Sequence, residues 1–277
     1  MFTLSAFADE ISPDPQEQID VLRACGVCHI ELRSILKTNV LDLTDAQVAD
    51  LKALLDRNGF RLSAIGSPIG KVKIDLPFEP HLQRFERAIE LCKVFGTPNI
   101  RIFSYYKPEG DDWTSWRDEV MARMVEKTRR AERAGVFLLH ENEHNIYGDD
   151  PRRVVDLLET VNSPHLRAVY DPANYVFCGY DPWQGWQMTK RWTTHFHIKD
   201  WIAGETHGCL AGTGQGRIPE VIADVARNYN GFATLEPHLL GGGPTGGVTG
   251  PDLFPKAVAA FKEILDRSTA RLAAMRG

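Results

Sequence analysis

The sequence predicts one α/β domain folded as a (β/α)8 barrel. Eight short apolar or β-branched runs alternate with longer amphipathic stretches along the chain. The turns that lead into these runs are short, whereas the segments that follow them are longer and richer in Gly, Pro and charged residues. That asymmetry is expected of a barrel whose functional face lies at the carboxyl ends of its strands. The length of 277 residues fits the roughly 250 that such a barrel needs.

The eight predicted strands are runs of five or six residues. They are Thr3–Phe7, His29–Arg33, Arg61–Gly66, Asn99–Phe103, Val136–Glu141, Leu166–Asp171, Thr194–Lys199 and Phe232–Glu236. Amphipathic spacing between the strands predicts helices. These are Pro15–Cys25, Thr44–Asn58, Pro80–Phe95, Trp113–Ala134, Asp150–Val161, Trp183–Arg191, Ile218–Asn228 and Asp252–Leu272. The second helix shows both boundary signals, with Thr44 as the N-cap and Gly59 directly after the end.

An open doubly wound sheet is the competing α/β architecture, and the glycine pattern argues against it. That fold places a glycine-rich phosphate turn after its first strand, but the first turn here is Ala8-Asp9-Glu10. The run from Gly214 to Pro219 follows the seventh strand and is therefore not a dinucleotide fingerprint. Because no linker divides the eight units, we predict a single domain over residues 1–277.

The net charge and the hydropathy of the chain limit the classes of binding partner that we expect. The net charge is −5 and the Lys and Arg residues are dispersed, so nucleic acid is not an expected partner. No apolar run approaches the roughly 20 residues of a membrane span, and the first residues lack a basic signal-peptide region. We therefore expect a cytoplasmic protein without a membrane partner.

Cys25 and Cys28 match a CxxC spacing, but no second pair completes a zinc site, and we expect both to be small buried residues.

Four metal-capable side chains stand at the carboxyl ends of the last four strands: Glu141, Asp171, His197 and Glu236. Consecutive strands are neighbours in a closed barrel, so these groups are expected to converge. Three carboxylates alone would repel one another, and a divalent cation removes that penalty. Three oxygens and one imidazole suit Mn²⁺, which we favour, or Zn²⁺, Co²⁺ or Mg²⁺. Glu143 shares a face with Glu141 and is an alternative ligand.

A metal at this position predicts a reaction. A cation that binds a carbonyl oxygen and the adjacent hydroxyl acidifies the neighbouring carbon-bound proton and stabilises the resulting enediolate. Carboxylates from the fifth and eighth strands can act on opposite faces of the substrate, one removing the proton and the other returning it. Glu141 and Glu236 are therefore the predicted catalytic pair.

Four segments carry a resemblance to a known family. They are His140-Glu141-Asn142-Glu143, Tyr170-Asp171-Pro172-Ala173-Asn174, His197-Ile198-Lys199-Asp200 and Leu235-Glu236-Pro237-His238. Together they resemble the sugar phosphate isomerase/epimerase family, the xylose isomerase-like TIM barrel group that includes ketose 3-epimerases, inositol-catabolism enzymes and endonuclease IV. The resemblance covers essentially the whole chain. It implies a mononuclear metal enzyme with the four ligands named above, a carbohydrate substrate, and a homo-oligomer, either dimer or tetramer.

The chain departs from the ketose 3-epimerases of this group at two positions. Asn174 stands where they have a histidine, and His207-Gly208-Cys209 stands where they have an arginine. Three alternatives to the isomerase therefore stay open: a lyase or dehydratase acting on a keto sugar, inositol derivative or 3-keto glycoside, a non-catalytic sugar-binding barrel, and a metal-dependent phosphodiesterase.

Six polar residues near the strand ends are candidates for substrate binding. They are Lys199, Asn174, His144, His207, Arg33 and His238. An ion pair with a neighbouring carboxylate is the alternative for Lys199, and a structural ion pair is the alternative for Arg33, which shares a face of its strand with Glu31. His238 is also a candidate partner of the ligand Glu236, and His195 is expected in the barrel interior. The glycine-rich segment 241–247 is expected to be a flexible loop.

Overall fold

Eight parallel strands close into a barrel in the computed structural model, which describes residues 1–243 and 246–274, without the side chains of residues 271–274. The strands are β1 Phe2–Ala6, β2 His29–Leu32, β3 Arg61–Ile65, β4 Asn99–Ile102, β5 Phe137–Glu141, β6 Leu166–Tyr170, β7 Thr193–Ile198 and β8 Gly231–Leu235. Each pairs in parallel with the next, and β8 closes the barrel on β1. The predicted fold class and strand order are confirmed.

Helices connect the strands on the outside. They are α1 Pro15–Ala24, α2 Asp45–Arg57, α3 Phe78–Phe95, α4 Arg117–Ala134, α5 Pro151–Val161, α6 Pro172–Phe177, α7 Pro182–Thr189, α8 Ile218–Val225 and α9 Phe254–Ala274. The start of α2 follows from its sequence: the Thr44 hydroxyl accepts from the Gln47 backbone amide, and the Gln47 side chain accepts from the Thr44 amide. The Thr44 cap predicted from sequence is confirmed.

Three details differ from the sequence-based prediction. The predicted helix Trp113–Ala134 is divided, because a short 3-10 turn at Trp113–Ser115 ends before α4 begins at Arg117. A hairpin of Ser34–Ile35 and Thr38–Asn39 follows β2. The sequence pattern predicts only a strand end at Tyr170–Asn174, whereas Pro172–Phe177 forms helix α6.

The barrel interior is polar below its mouth. The Ser5 and Ser63 hydroxyls lie 2.6 Å apart, and His195 Nε2 lies 2.7 Å from the Thr234 hydroxyl. His195 is buried, as expected of an interior residue. His195 and Thr234 both contact Glu31, which in turn contacts His197 near the end of β7.

Three further features are the cysteine pair, the glycine-rich segment and the apolarity of the helices. The prediction that Cys25 and Cys28 are both buried is wrong: Cys28 is exposed and Cys25 half-buried, because the pair lies at the surface turn between α1 and β2. The glycine-rich segment 241–247 includes residues 244 and 245, which lie outside the described residues, so its flexibility stays a prediction. Within the described part of the chain, no helix combines the length and apolarity needed to cross a membrane.

Candidate active site and metal centre

Glu141, Asp171, His197 and Glu236 meet at the mouth of the barrel. Each offers one ligand atom, and these atoms all lie within 4.8 Å of one another. Glu141 ends β5, Asp171 and Glu236 directly follow β6 and β8, and His197 lies near the end of β7. All four side chains are buried. The structure thus brings together the four residues that the sequence selected.

The two oxygens of the Asp171 carboxylate have different surroundings. Its Oδ1 accepts from the Asn174 backbone amide and caps α6, whereas its Oδ2 faces the cluster. The Asn142 side chain holds the Asp171 backbone, donating to its carbonyl at 2.8 Å and accepting from its amide at 2.9 Å. Asn174 in turn donates to Glu141 Oε1 at 3.2 Å. These contacts tie the ends of β5 and β6 together and orient two of the four carboxylate and imidazole groups.

One polar atom of each clustered side chain is buried without a hydrogen-bond partner among the described residues. These atoms are Glu141 Oε2, Asp171 Oδ2, His197 Nδ1 and Glu236 Oε2. Lys199 Nζ lies 2.7 Å from Asp171 Oδ2, but the contact does not have hydrogen-bond geometry. Unpaired buried polar atoms are costly, and four that converge fit a cation. The residues therefore fit a divalent metal with three oxygens and one nitrogen.

The imidazole of His197 lies between two sets of carboxylates. Its Nε2 is 3.3 Å from Glu31, whereas Nδ1 is 3.2 Å from Glu141 and 3.3 Å from Glu236. When Nε2–H donates to Glu31, the Nδ1 lone pair faces anionic oxygens, which requires a proton or a metal between them. Burial alone would lower the pKa of His197, but Glu141 and Glu31 outweigh it and raise that pKa well above its ordinary value.

Cations surround the carboxylates of the cluster. Glu236 is 2.9 Å from Arg33, 3.2 Å from His238 and 3.7 Å from Lys199. Burial would raise the pKa of Glu236, but the cationic neighbours, Lys199 first, hold it well below its usual range. Burial raises the pKa of Asp171 to about 7, against the opposing effect of Lys199. The pKa values of the two carboxyl groups are thus shifted in opposite directions, downward for Glu236 and upward for Asp171.

A cavity of about 290 Å³ opens above the cluster, bordered by Glu141 and Glu236. Five of the six predicted substrate-binding residues line it, and their contact with substrate stays a prediction. They are Arg33, His144, Asn174, Lys199 and His238. His207 is the exception: it is exposed, does not line the cavity, and directs Nδ1 to the carbonyl of Gly208. The exposed position of His207, outside this cavity, does not support its predicted contact with substrate.

The geometry bears on three further sequence-based alternatives, which concern Glu143, Arg33 and Lys199. Glu143 lies outside the four-residue cluster and contacts Lys71 at 2.9 Å and His144 at 2.6 Å, so Glu141 is the better metal ligand. Arg33 does form structural ion pairs, but with Asp9 and Glu236, while Glu31 faces His195 and His197. The carboxylate partner of Lys199 is Asp171, at 2.7 Å.

Sequence reasoning missed two cations of the cavity wall, Arg101 and Lys71. Arg101 lies within the apolar strand β4 between Ile100 and Ile102, and a charge inside such a strand is a usable signal. Lys71 lies in the segment after β3, where a lysine is unremarkable in the sequence. Phe177 on α6 was missed together with its helix.

A closed parallel barrel with a buried acid–histidine cluster at its mouth defines an enzyme-type (β/α)8 scaffold. The sequence profile of the xylose isomerase-like TIM barrel family matches residues 19–264. The chain therefore belongs to this family.

Individual comparisons give more distant similarities. The chain is 25% identical over 182 residues to 3-dehydroshikimate dehydratase of Bacillus anthracis, covering 60% of this chain and 65% of that protein. It is 28% identical over 178 residues to 2-epi-5-epi-valiolone 7-phosphate 2-epimerase of an Actinoplanes strain, covering 62% of each. Both matches span less than two thirds of the relative. A xylose isomerase-like barrel protein of Mycobacterium smegmatis in complex with magnesium superposes with a TM-score of 0.74 at 15% identity, covering 96% of this chain and 97% of that one.

Proposed function

We propose that this protein is a divalent-metal-dependent isomerase or epimerase. It acts on a keto sugar or sugar derivative by removing the proton next to the carbonyl group. The observation that carries the proposal is the convergence of four buried acid and histidine side chains beside an open cavity, each with one buried atom that forms no hydrogen bond among the described residues. The family membership and the epimerase among the relatives support it. Mn²⁺ is the proposed ion, with Mg²⁺, Zn²⁺ and Co²⁺ as alternatives.

A divalent ion bound here would polarise the carbonyl and lower the barrier to proton removal. Glu141 ends β5 and Glu236 directly follows β8, the outer strands of the four that form the cluster, and both residues border the cavity. One carboxylate takes the proton, and the electrons of the broken C–H bond move to the carbonyl oxygen to form the enediolate. The other glutamate, in its carboxylic acid form, donates a proton to the opposite face of the same carbon as the carbonyl group re-forms, which inverts that carbon.

The reaction is tested with metal-loaded protein and a panel of keto sugars and 3-keto glycosides in D₂O, followed by NMR. An epimerase incorporates deuterium at the inverted carbon without any other change in mass. Glu141→Gln and Glu236→Gln should each abolish this incorporation, whereas Glu205→Gln, on the exposed loop after β7, should not change it. Undiminished exchange in a metal-bound Glu141→Gln or Glu236→Gln variant would remove the proposed role. Ligand binding without turnover across the panel would favour a sugar-binding barrel.

The metal is tested separately by elemental analysis of the purified protein after metal loading. We expect one ion per chain, and its loss in Asp171→Asn and His197→Asn. His195 forms a second acid–histidine group with Glu31 and His197, so His195→Asn distinguishes the two positions. If the ion lies in the proposed cluster, His195→Asn retains it. Loss of the ion in His195→Asn but not in Asp171→Asn would place the metal in the deeper group.

A lyase or dehydratase is the second candidate, favoured by the similarity to 3-dehydroshikimate dehydratase. The first proton removal is the same, but the electrons then expel a hydroxyl group from the adjacent carbon. A protonated side chain supplies the proton with which that hydroxyl leaves as water, and a C=C bond forms. NMR separates the two outcomes, because elimination removes water or an aglycone, whereas epimerisation leaves only the isotope label.

A further inference from the structure

We infer that the substrate carries an anionic group, a carboxylate or a phosphate, bound by Arg101 and Lys71 on the β3–β4 side of the cavity. The inference rests on the proposed function, because the metal would hold the substrate beside this wall, at the ends of β5–β8. Four observations carry it: the position of the two cations, the hydrogen bonds of Arg101, its only carboxylate partner among the described residues, and the aromatic rings around it.

The two cations occupy the part of the barrel that supplies no metal ligand. Arg101 lies in β4, and Lys71 lies in the segment that follows β3. Both line the cavity. Lys71 Nζ is 4.4 Å from the centroid of the Phe103 ring, and Arg101 Cζ is 4.9 Å from the same centroid. Arg101 Nη1 lies 3.4 Å from Glu141 Oε2, so an anionic group bound at this wall would lie beside the metal ligands.

Arg101 has donor capacity that the described residues leave unused. One Nη2 hydrogen bond reaches the carbonyl of Gly66 at 3.0 Å. Its Nε is buried without any hydrogen-bond partner in the described part of the chain, although only 4% of the residue is exposed. Buried donors are nearly always paired, because an unpaired one loses its hydration without compensation. Arg101 also lines the cavity, so a ligand oxygen there could accept a hydrogen bond from the part of its guanidinium that reaches the cavity.

The charge of Arg101 is also incompletely compensated. Within the described residues, its carboxylate partner is Glu141, at 3.4 Å from Nη1. Glu141 is one of the proposed metal ligands, so a divalent ion would draw on the same negative charge. Lys199 is in a similar position, since its nearest carboxylate is Asp171. Lys71 is paired with Glu143 at 2.9 Å, so the charge that metal binding would leave less compensated is that of Arg101 and Lys199, and an anionic ligand would offset it.

The apolar surroundings of Arg101 strengthen its attraction for an anionic group. Arg101 Cζ is 5.0 Å from the Phe7 centroid and 4.9 Å from that of Phe103, and both rings are buried. Apolar surroundings reduce screening, so a charge pair formed here is stronger than one formed in water. A sugar hydroxyl could accept from Arg101 but would leave its charge uncompensated. The planar guanidinium matches the paired oxygens of a carboxylate or phosphate.

Binding measurements test the inference without requiring turnover. Mg²⁺-loaded protein is titrated in a calorimeter with three probes: shikimate, inorganic phosphate and myo-inositol. Shikimate and myo-inositol are both hydroxylated six-membered rings, and only the former carries a carboxylate. At least one anion should bind ten or more times as tightly as myo-inositol. Preference for shikimate or for phosphate identifies which anionic group the wall accepts.

Variants show whether the anion binds at the proposed wall. Arg101→Gln should weaken the preferred anion by about 10- to 100-fold, the range for a hydrogen bond to a charged group. Arg101→Lys should lose less, and Lys71→Met should lose a few-fold. Lys73→Met, an exposed lysine two residues away, should not change affinity. None of these variants should alter binding of myo-inositol.

The inference is overturned if neither anion binds more tightly than myo-inositol, or if Arg101→Gln and Lys71→Met leave anion affinity unchanged. Lys71 is partly exposed, so its variant remains informative if Arg101→Gln fails to fold. Failure of the reaction is distinguishable from failure here. Arg101-dependent anion binding without deuterium exchange contradicts only the proposed reaction, whereas exchange on neutral sugars without anion binding contradicts only the anionic substrate.

Discussion

The Nε2 atom of His197 lies 3.3 Å from both carboxylate oxygens of Glu31, beneath the metal-ligand cluster. Glu31 is also 3.0 Å from His195 Nε2 and accepts from the Thr234 hydroxyl at 2.9 Å. The carboxylate is therefore held in place by three side chains from β7 and β8. It directs the Nδ1 atom of His197 toward Glu141 and Glu236, where a metal would bind.

Glu31→Gln should lower metal affinity by roughly 10- to 100-fold, the usual cost of removing the partner of a metal-bound histidine. Glutamine keeps the shape but loses the charge that favours the required orientation and basicity of the imidazole. Titration of the metal-free protein with Mn²⁺ measures the effect, and circular dichroism checks the fold. Glu119→Gln, on the surface of α4, is the matched control. Unchanged affinity in Glu31→Gln would show that Glu31 does not orient the ligand.

Asn174→Leu should reduce stability by about 1–3 kcal/mol, the cost of leaving buried acceptors without their donor. The Asn174 side chain donates to the Asn142 carbonyl at 2.8 Å and to Glu141 Oε1 at 3.2 Å. Leucine has similar volume but no donor, so Glu141 should also become less well oriented for proton transfer. Urea unfolding measures the first effect and deuterium exchange the second. Asn228→Leu, at an exposed position, should alter neither.

Asp200→Asn should destabilise the segment between β7 and α8 by about 2–4 kcal/mol, since hydrogen bonds to a charged acceptor are stronger than neutral ones. The Asp200 carboxylate accepts from the backbone amides of Trp201, Gly212, Gly214 and Gly216 at 2.8–3.0 Å. Asparagine would place an NH₂ group against two of these donors. Amide hydrogen exchange at the three glycines should accelerate. Asp252→Asn is the exposed control, and equal protection in both variants would contradict the prediction.

Lys127→Met should stabilise the protein, most strongly near neutral pH. The Lys127 ammonium is fully buried with no hydrogen-bond partner among the described residues, and burial lowers its pKa from 10.5 to about 7, with Arg123 contributing repulsion. Between these pH values the unfolded chain binds the proton and the folded chain does not, so stability of the natural protein should rise with pH. Each pKa unit corresponds to about 1.4 kcal/mol.

The Lys127→Met advantage should therefore be largest at pH 7 and below, at a few kcal/mol, and should vanish as pH approaches 10.5. Urea unfolding at several pH values between 7 and 10 measures the difference between the two proteins, which cancels groups that titrate in both. Arg129→Met, exposed on the same helix, should show no such trend. A constant difference at all pH values would mean that Lys127 stays charged in the folded protein.

Part of the candidate site follows from strand periodicity. Glu141, Asp171, His197 and Glu236 each stand at the carboxyl end of an apolar run, and parallel strands in a barrel end at one face. Their convergence is thus predictable before any contact is known. Arg101 and Glu31 carry a weaker signal, a charge inside a buried strand, which marks them as unusual without revealing what they contact.

The amino-acid sequence alone determined the eight strand–helix units, the closed barrel and the four side chains at its mouth, because each depends on local patterns repeated along the chain. Only the tertiary structure decided which side chains contact one another. Glu31 meets His197 across 166 residues, and the glycines after β7 enclose the Asp200 carboxylate. Such contacts depend on barrel closure and loop paths, in which residues far apart in sequence become neighbours and a buried charge must find its partner.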